Sequence, residues 1–383
     1  MKSKFIYAER FFLEDTVTGP GFLEINNGEF GNFTKNKPNH PAEIIDYQGS
    51  WIAPGLVDTH IHGFNGHDVM DNDFEGMNLI SEGLLSCGVT SFLPTTLTSS
   101  TESLNKVVEM IGANYNNVQG AKIKGIFLEG PFFTEKHKGA QNTKYFGDPS
   151  IDKLKKWQEL SNQSIKKIAI APERKGVAEF VEYAVKEGIV VALAHSEATY
   201  EEAKQAVDKG ASIFVHTYNG MSPLHHREPG MVGAAMNLKN VFAEIICDGH
   251  HVHPIAASIL MNIRSRKETV MVTDCMMAGG MPEGHYQLGE FPVEVKDGAA
   301  RLESGGLAGS ILQLKDAVKN AVKWGIATPA EAIYMASTGP AKSVQIDGEC
   351  GKIAVGYAAD FIVLNPELDL TATYLDGICR YQA

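Results

Sequence analysis

The sequence predicts an α/β protein: a (β/α)8 TIM-type barrel carrying a small β-sandwich domain made from both chain ends. Three observations carry that expectation. From Ile52 onward short apolar runs alternate with stretches of helical periodicity, and the runs end again and again on or beside a polar residue. The two termini lack the helical period and read as strands and turns.

Taken in order, residues 1–53 are β-rich, with a hairpin signal at Asn26-Asn27-Gly28. Strands are expected near 52–57, 89–94, 123–129, 165–171, 189–195, 212–218, 241–247 and 270–274. Helices are expected over 74–87, 150–161, 176–187, 198–208 and 254–263. About eight such units in about 250 residues match a barrel, whose reactive groups gather at the carboxyl ends of its strands. A doubly wound open sheet fits less well, because no glycine-rich nucleotide fingerprint follows the first strand. Residues 279–304 interrupt the eighth unit with alternating apolar and polar positions around Asp297-Gly298, which suggests a hairpin lid over the site. The β-rich character returns over 351–383, with a turn at Asp376-Gly377. The expected division is a β-domain of 1–53 plus 346–383 and a barrel of 54–345.

The chain has 383 residues, 44% of them hydrophobic and 21% charged, enough to build a large core in an ordinary globular protein. Its formal net charge of -12 disfavours nucleic acid or an anionic membrane as partner, since either selects a basic face. An anionic substrate would therefore need a locally basic site. No apolar run is long enough to span a bilayer, and the opening residues lack a secretory pattern. Five scattered cysteines without CxxC pairing fit a reducing cytoplasm.

The polar residues fall where a barrel needs them. His60 and His62, two apart on extended backbone, point to one side and can share an ion. Such a pair is weak by itself. Glu129 closes the third expected strand, His195 the fifth and Asp274 the eighth, while His216 lies in the sixth, so five potential ligands and one further carboxylate converge on one barrel mouth. Neutral imidazoles with a carboxylate suit zinc or ferrous iron. The preferred arrangement places His195, His216 and Glu129 on one divalent ion, with His60, His62 and Glu129 available to a second. Asp274 is assigned as general base and then general acid.

The run Ala53-Pro54-Gly55-Leu56-Val57-Asp58-Thr59-His60-Ile61-His62-Gly63 resembles the opening of the amidohydrolase superfamily. More specific are Leu128-Glu129-Gly130-Pro131-Phe132, Ala194-His195-Ser196, the run from His216 to Gly230, Cys247-Asp248-Gly249-His250-His251 and Leu307-Ala308-Gly309-Ser310. These resemble the deacetylases of phosphorylated N-acetyl amino sugars, and the resemblance runs along nearly the whole chain. It implies a small phosphorylated amino-sugar substrate, the gluco form preferred and the galacto epimer the alternative. It further implies substrate contacts from Asn219, Gly220, His251 and the segment Leu307, Ala308 and Gly309. Arg227 would bind phosphate, reaching the neighbouring site of a homodimer. Its planar, permanently charged fork suits phosphate oxygens. His225 and His226 are expected to shape that loop.

Two positions depart from some relatives. His60 and His62 stand where some members carry Gln and Asn and use one metal, so one or two ions per subunit remain open. In Lys138-Gly139-Ala140-Gln141-Asn142, the substrate-contacting segment with Ala140, other members have His in place of Gln141, which still donates a hydrogen bond but does not titrate. Two rival readings are weaker. A cyclic-amide hydrolase normally uses a carboxylated lysine where this chain has Glu129, and a barrel reduced to a scaffold would have eroded ligands.

Overall fold

The computed structural model describes residues 4–14, 16–39 and 42–383. Eight parallel strands follow one another round one sheet in chain order: Leu56–Ile61, Val89–Thr96, Ile126–Phe132, Ile165–Ile170, Val190–Leu193, Ile213–Phe214, Phe242–Ile245 and Thr269–Met271. The short strand Lys122–Ile123 also joins the second of them. The last strand returns to the first just beyond its end, where Ile61 bridges Cys275 and the Cys275 carbonyl accepts from the His62 and Gly63 N–H groups at 2.8 and 3.1 Å. The seam of the TIM-type barrel is thus closed at the carboxyl ends of its strands.

Buried positions of the helices are spaced to cover this sheet. Val177–Lys186 buries Val177, Phe180, Val181 and Ala184, one helical face. Tyr200–Asp208 starts two residues later than the expected 198, because the Thr199 side chain caps it in a reciprocal box with Glu202. At the opposite end of the barrel, Ala341, Val344, Ile346 and Cys350 pack with the strand-start residues Val57, Val190 and Ile213. That apolar plug leaves the strands' carboxyl ends as the open mouth.

The chain ends form one mixed sheet, in which Lys4–Phe12 runs parallel to Glu43–Pro54, and Phe361–Leu364 runs antiparallel to Glu43–Pro54. Phe30, on the terminal strand Glu29–Thr34, lies 6.1 Å from the Phe361 ring, four strands away in the hydrogen-bonded order. The sheet therefore folds over its own apolar face, and a single sheet supplies both sides of the expected sandwich. All three turn signals occupy two-residue hairpins: Asn27-Gly28, Asp297-Gly298 and Asp376-Gly377 have φ of 52° and 85°, 51° and 75°, and 48° and 71°. Positive φ at both residues matches the twist of the flanking strands. The segment expected as a hairpin is a three-stranded antiparallel meander, Gly284–Leu288, Phe291–Lys296 and Ala299–Leu302.

Candidate metal centre and its cavity

The site is assembled from strand ends. His60 belongs to the first barrel strand and His62 follows it by one residue; Glu129 lies within the third. His195 and His216 follow strands that stop at Leu193 and Phe214, earlier than expected. The reason is local: His195 and His216 have φ of 42° and 32°, which takes the chain out of the β conformation. Asp274 likewise turns at φ 50°.

Glu129 is the hub. One carboxylate oxygen lies 3.5, 3.4 and 3.3 Å from the Nε2 atoms of His60, His195 and His216, and the other lies 3.2 Å from His62. Asp274 Oδ1 is 3.3 Å from His60 Nε2 and 3.2 Å from His62 Nε2. Two triads result: His60, His62 and Asp274, and Glu129, His195 and His216. The sequence had assigned Glu129 to both groups; in the structure Asp274 supplies the further carboxylate beside His60 and His62.

The donor chemistry fits a divalent cation. Paired Nε2 atoms stand 3.3 Å apart in both triads. Two imidazole lone pairs do not favour that approach unless a proton or cation sits between them. The outer ring atoms fix orientation: His62 Nδ1 faces the Thr95 carbonyl at 3.2 Å and His195 Nδ1 the His137 carbonyl at 3.0 Å. Such contacts aim the Nε2 atoms inward. Burial pushes the Asp274 carboxyl up, but the imidazoles of His60 and His62 outweigh it and hold it at about 2. Burial also opposes ionisation of Glu129, yet the surrounding histidines, His60 first, hold its carboxyl well below the usual range. Both carboxyls are therefore anionic and ready to meet a cation.

A cavity of about 300 Å³ opens over these groups. Its wall includes Ala140, Gln141, Asn219, Gly220, His251, Leu307 and Gly309 beside Glu129, His195, His216 and Asp274. Leu288 and Leu302 of the meander roof it.

Known proteins agree with this geometry. The amidohydrolase family model matches residues 51–379. An N-acetylglucosamine-6-phosphate deacetylase of Vibrio furnissii is 40% identical over 93% of this chain and 90% of its own. An N-acetylgalactosamine-6-phosphate deacetylase of Escherichia coli O157:H7 is 37% identical over 88% of this chain and 89% of its own. A Mycobacterium smegmatis N-acetyl-D-glucosamine-6-phosphate deacetylase variant, solved in complex with N-acetyl-D-glucosamine-6-phosphate, superposes with a TM-score of 0.94 at 27% identity over the whole of both chains. The chain belongs to the N-acetylglucosamine-6-phosphate deacetylases of the amidohydrolase superfamily.

In this deacetylase most of the sequence-derived candidates meet at the one cavity, but three do not line it: His60 is fully buried behind His62 and Glu129, and Ala308 and Arg227 also stand outside the wall. Ala308 is buried between Leu307 and Gly309, its N–H bonded to the Ala300 carbonyl at 3.0 Å. Arg227 is exposed on its loop, with a guanidinium nitrogen 2.7 Å from His226 Nε2. The Arg227 backbone N–H donates to His225 Nδ1 at 3.3 Å, so both histidines hold contacts within the loop. Gln141 uses both ends of its amide: Nε2 donates to Glu129 at 2.6 Å and Oε1 accepts from the Thr98 N–H at 3.0 Å. His251 is held by Asp248, whose carboxylate is 2.6 Å from its Nδ1.

Sequence reasoning missed the polar groups inside the barrel. Asp58 accepts from the Thr273 hydroxyl at 2.6 Å, tying the first strand to the segment just after the last. Lys167 and Glu244 form a fully buried ion pair beneath His60. The available signal was charge inside two otherwise apolar strands, the pair Lys166-Lys167 in Ile165–Ile170 and the single Glu244 in Phe242–Ile245.

Proposed function

We infer that the chain hydrolyses the acetamide of N-acetyl-D-glucosamine 6-phosphate, releasing acetate and D-glucosamine 6-phosphate, a step of amino-sugar metabolism. The observation that carries this reading is one cavity that joins both histidine–carboxylate triads to the Asn219-Gly220 turn and the 307–309 segment. One or two divalent ions, zinc or iron, would be held by His60, His62, Glu129, His195 and His216. Such an ion supplies Lewis acidity toward a carbonyl oxygen and lowers the proton affinity of water.

Asp274 carries the proton. It accepts the proton of the attacking water as the water oxygen bonds to the acetyl carbon, and returns it to the nitrogen as the C–N bond breaks. Its low proton affinity makes it anionic at the start. Ala140, Gln141, Asn219, Gly220, His251 and the 307–309 segment orient the sugar, Ala308 through its backbone. Arg227 reaches the phosphate in the site of a second copy. Leu224, Ile255, Ile259 and Ile263 are 56, 64, 47 and 52% exposed, an apolar face near the Arg227 loop that suits burial against that copy. Five unpaired cysteines suit a cytoplasmic setting, and among the described residues no helix is long and apolar enough to cross a membrane.

The galacto epimer is the second reading, favoured by the 37% identical relative named for it. The test is acetate release from both epimers and from unphosphorylated N-acetylglucosamine, with and without chelator. Chelator-sensitive turnover of the phosphorylated gluco sugar is expected, with Asp274→Asn lowering kcat by about 100-fold or more. Turnover of the galacto sugar alone assigns the second reading; near-wild-type turnover by Asp274→Asn removes the proton role.

A further inference from the structure

Inside the barrel, below the metal-ligand candidates, lies a charge pair that the proposed reaction does not use. Lys167, on strand Ile165–Ile170, and Glu244, on strand Phe242–Ile245, are both 0% exposed. The Lys167 ammonium donates to Glu244 Oε1. It also lies 3.5 Å from the Thr59 carbonyl and 3.8 Å from the centre of the Phe127 ring, which it faces as a cation over an aromatic. The other Glu244 oxygen, Oε2, lies 3.5 Å from His60 Nδ1. Among the described residues neither of these two buried atoms has a hydrogen-bond partner, and each lies near the other.

Stability gives no reason for such a pair. Withdrawing two charges from water costs several kcal/mol per ion, and apolar residues of similar volume commonly replace buried pairs without loss. Its location offers a reason. A carboxylate anchored by an ammonium is an acceptor only, so the imidazole atom facing it must be the one that carries hydrogen. With hydrogen on Nδ1, the lone pair of His60 is on Nε2, the atom that faces His62, Glu129 and Asp274.

We propose that Lys167 and Glu244 are positioning residues that fix the His60 tautomer and ring orientation, presenting its Nε2 lone pair to the metal centre. Lys167 acts through Glu244, and Glu244 acts through His60. The proposal rests on the reading of His60 as a metal ligand. Outer carboxylates of this kind commonly change metal affinity by 10–100-fold.

The test combines NMR with metal titration. In metal-free protein carrying 15N-histidine, with the His60 signals assigned by their loss in His60→Gln, Nδ1 should appear protonated and Nε2 unprotonated. In Lys167→Met/Glu244→Leu, which removes both charges at similar volume, that preference should weaken or reverse. Cobalt affinity, measured by competition with a chromophoric chelator, should then fall about 10–100-fold. A wild-type His60 protonated at Nε2 overturns the proposal without any variant, as does a double variant with unchanged tautomer and cobalt affinity. If wild-type protein binds no metal and releases no acetate, the functional reading fails instead, while the tautomer measurement still decides the role of the pair.

Discussion

His195, His216 and Asp274 share left-handed backbones, a conformation that costs a residue with a side chain about 1–3 kcal/mol where nothing compensates. The barrel over-determines each. The backbone N–H groups of Thr217, Ser196 and Asp274 donate to the backbone carbonyls of Glu244, Gly220 and His60 at 2.8, 3.0 and 2.9 Å. These bonds cross between strand ends, so the site's geometry is set by its neighbours rather than by the residues' own preference. Asp58 shows a different consequence of burial. Burial pushes its carboxyl up to about 7, against the hydrogen bonds from Thr273 and His60 that favour the anion. A carboxyl that holds its proton more tightly when folded contributes full stability below its unfolded value of 3.8 and loses it as pH rises through about 7. The difference in urea midpoint between metal-free Asp58→Asn and wild type should therefore shift in favour of the variant across that window. A difference independent of pH would show that Asp58 ionises as freely folded as unfolded.

The element that most directly shapes access to the cavity is the meander over residues 284–302. Its first turn carries Glu290, whose two oxygens accept from Asn142 Nδ2 and the Tyr145 hydroxyl, each at 2.6 Å. The loop so gripped also carries Ala140 and Gln141, which line the cavity. One carboxylate thus latches roof to wall. Glu290→Ala should raise KM by about five-fold, the effect of losing on the order of 1 kcal/mol of hydrogen bonding, while the melting temperature stays near that of wild type. Unchanged KM in a folded variant would mean that the buried Leu288, Val293 and Val295 hold the roof without the latch.

At the scale of the whole molecule, a chain of net charge -12 must gather positive charge to hold a phosphate, and Arg227 does not line the cavity of its own chain. In the proposed homodimer that charge would come from a second copy. The prediction is complementation: mixing unfolded Arg227→Ala and Asp274→Asn chains equally and refolding them should restore roughly a quarter of wild-type activity, since half the dimers are mixed and each has one complete site. Activity no higher than that of the separate variants would place Arg227 and Asp274 in service of the same chain's site.

Much of this protein was legible before any coordinates, because the signals are local. Alternating apolar runs and helical periods specify repeated βα units, Asn27-Gly28 and Asp376-Gly377 demand tight hairpins, and a carboxylate in an apolar strand at Glu129 marks the barrel mouth, although that strand runs on to Phe132 rather than closing at Glu129. The histidine pair is readable for the same reason, since side chains two apart on a strand share a face. What only the tertiary structure decided lies between residues distant in sequence. Lys167 and Glu244 are 77 positions apart, and each looks like an error in an apolar strand until the barrel closes and sets them against one another. The companionship of Asp274 with His60 and His62 arises at the seam between first and last strands, and the sandwich arises from one sheet folding over itself. Sequence periodicity reports which way a side chain faces; only closure of the barrel, which joins its first strand to its last, reports what it faces.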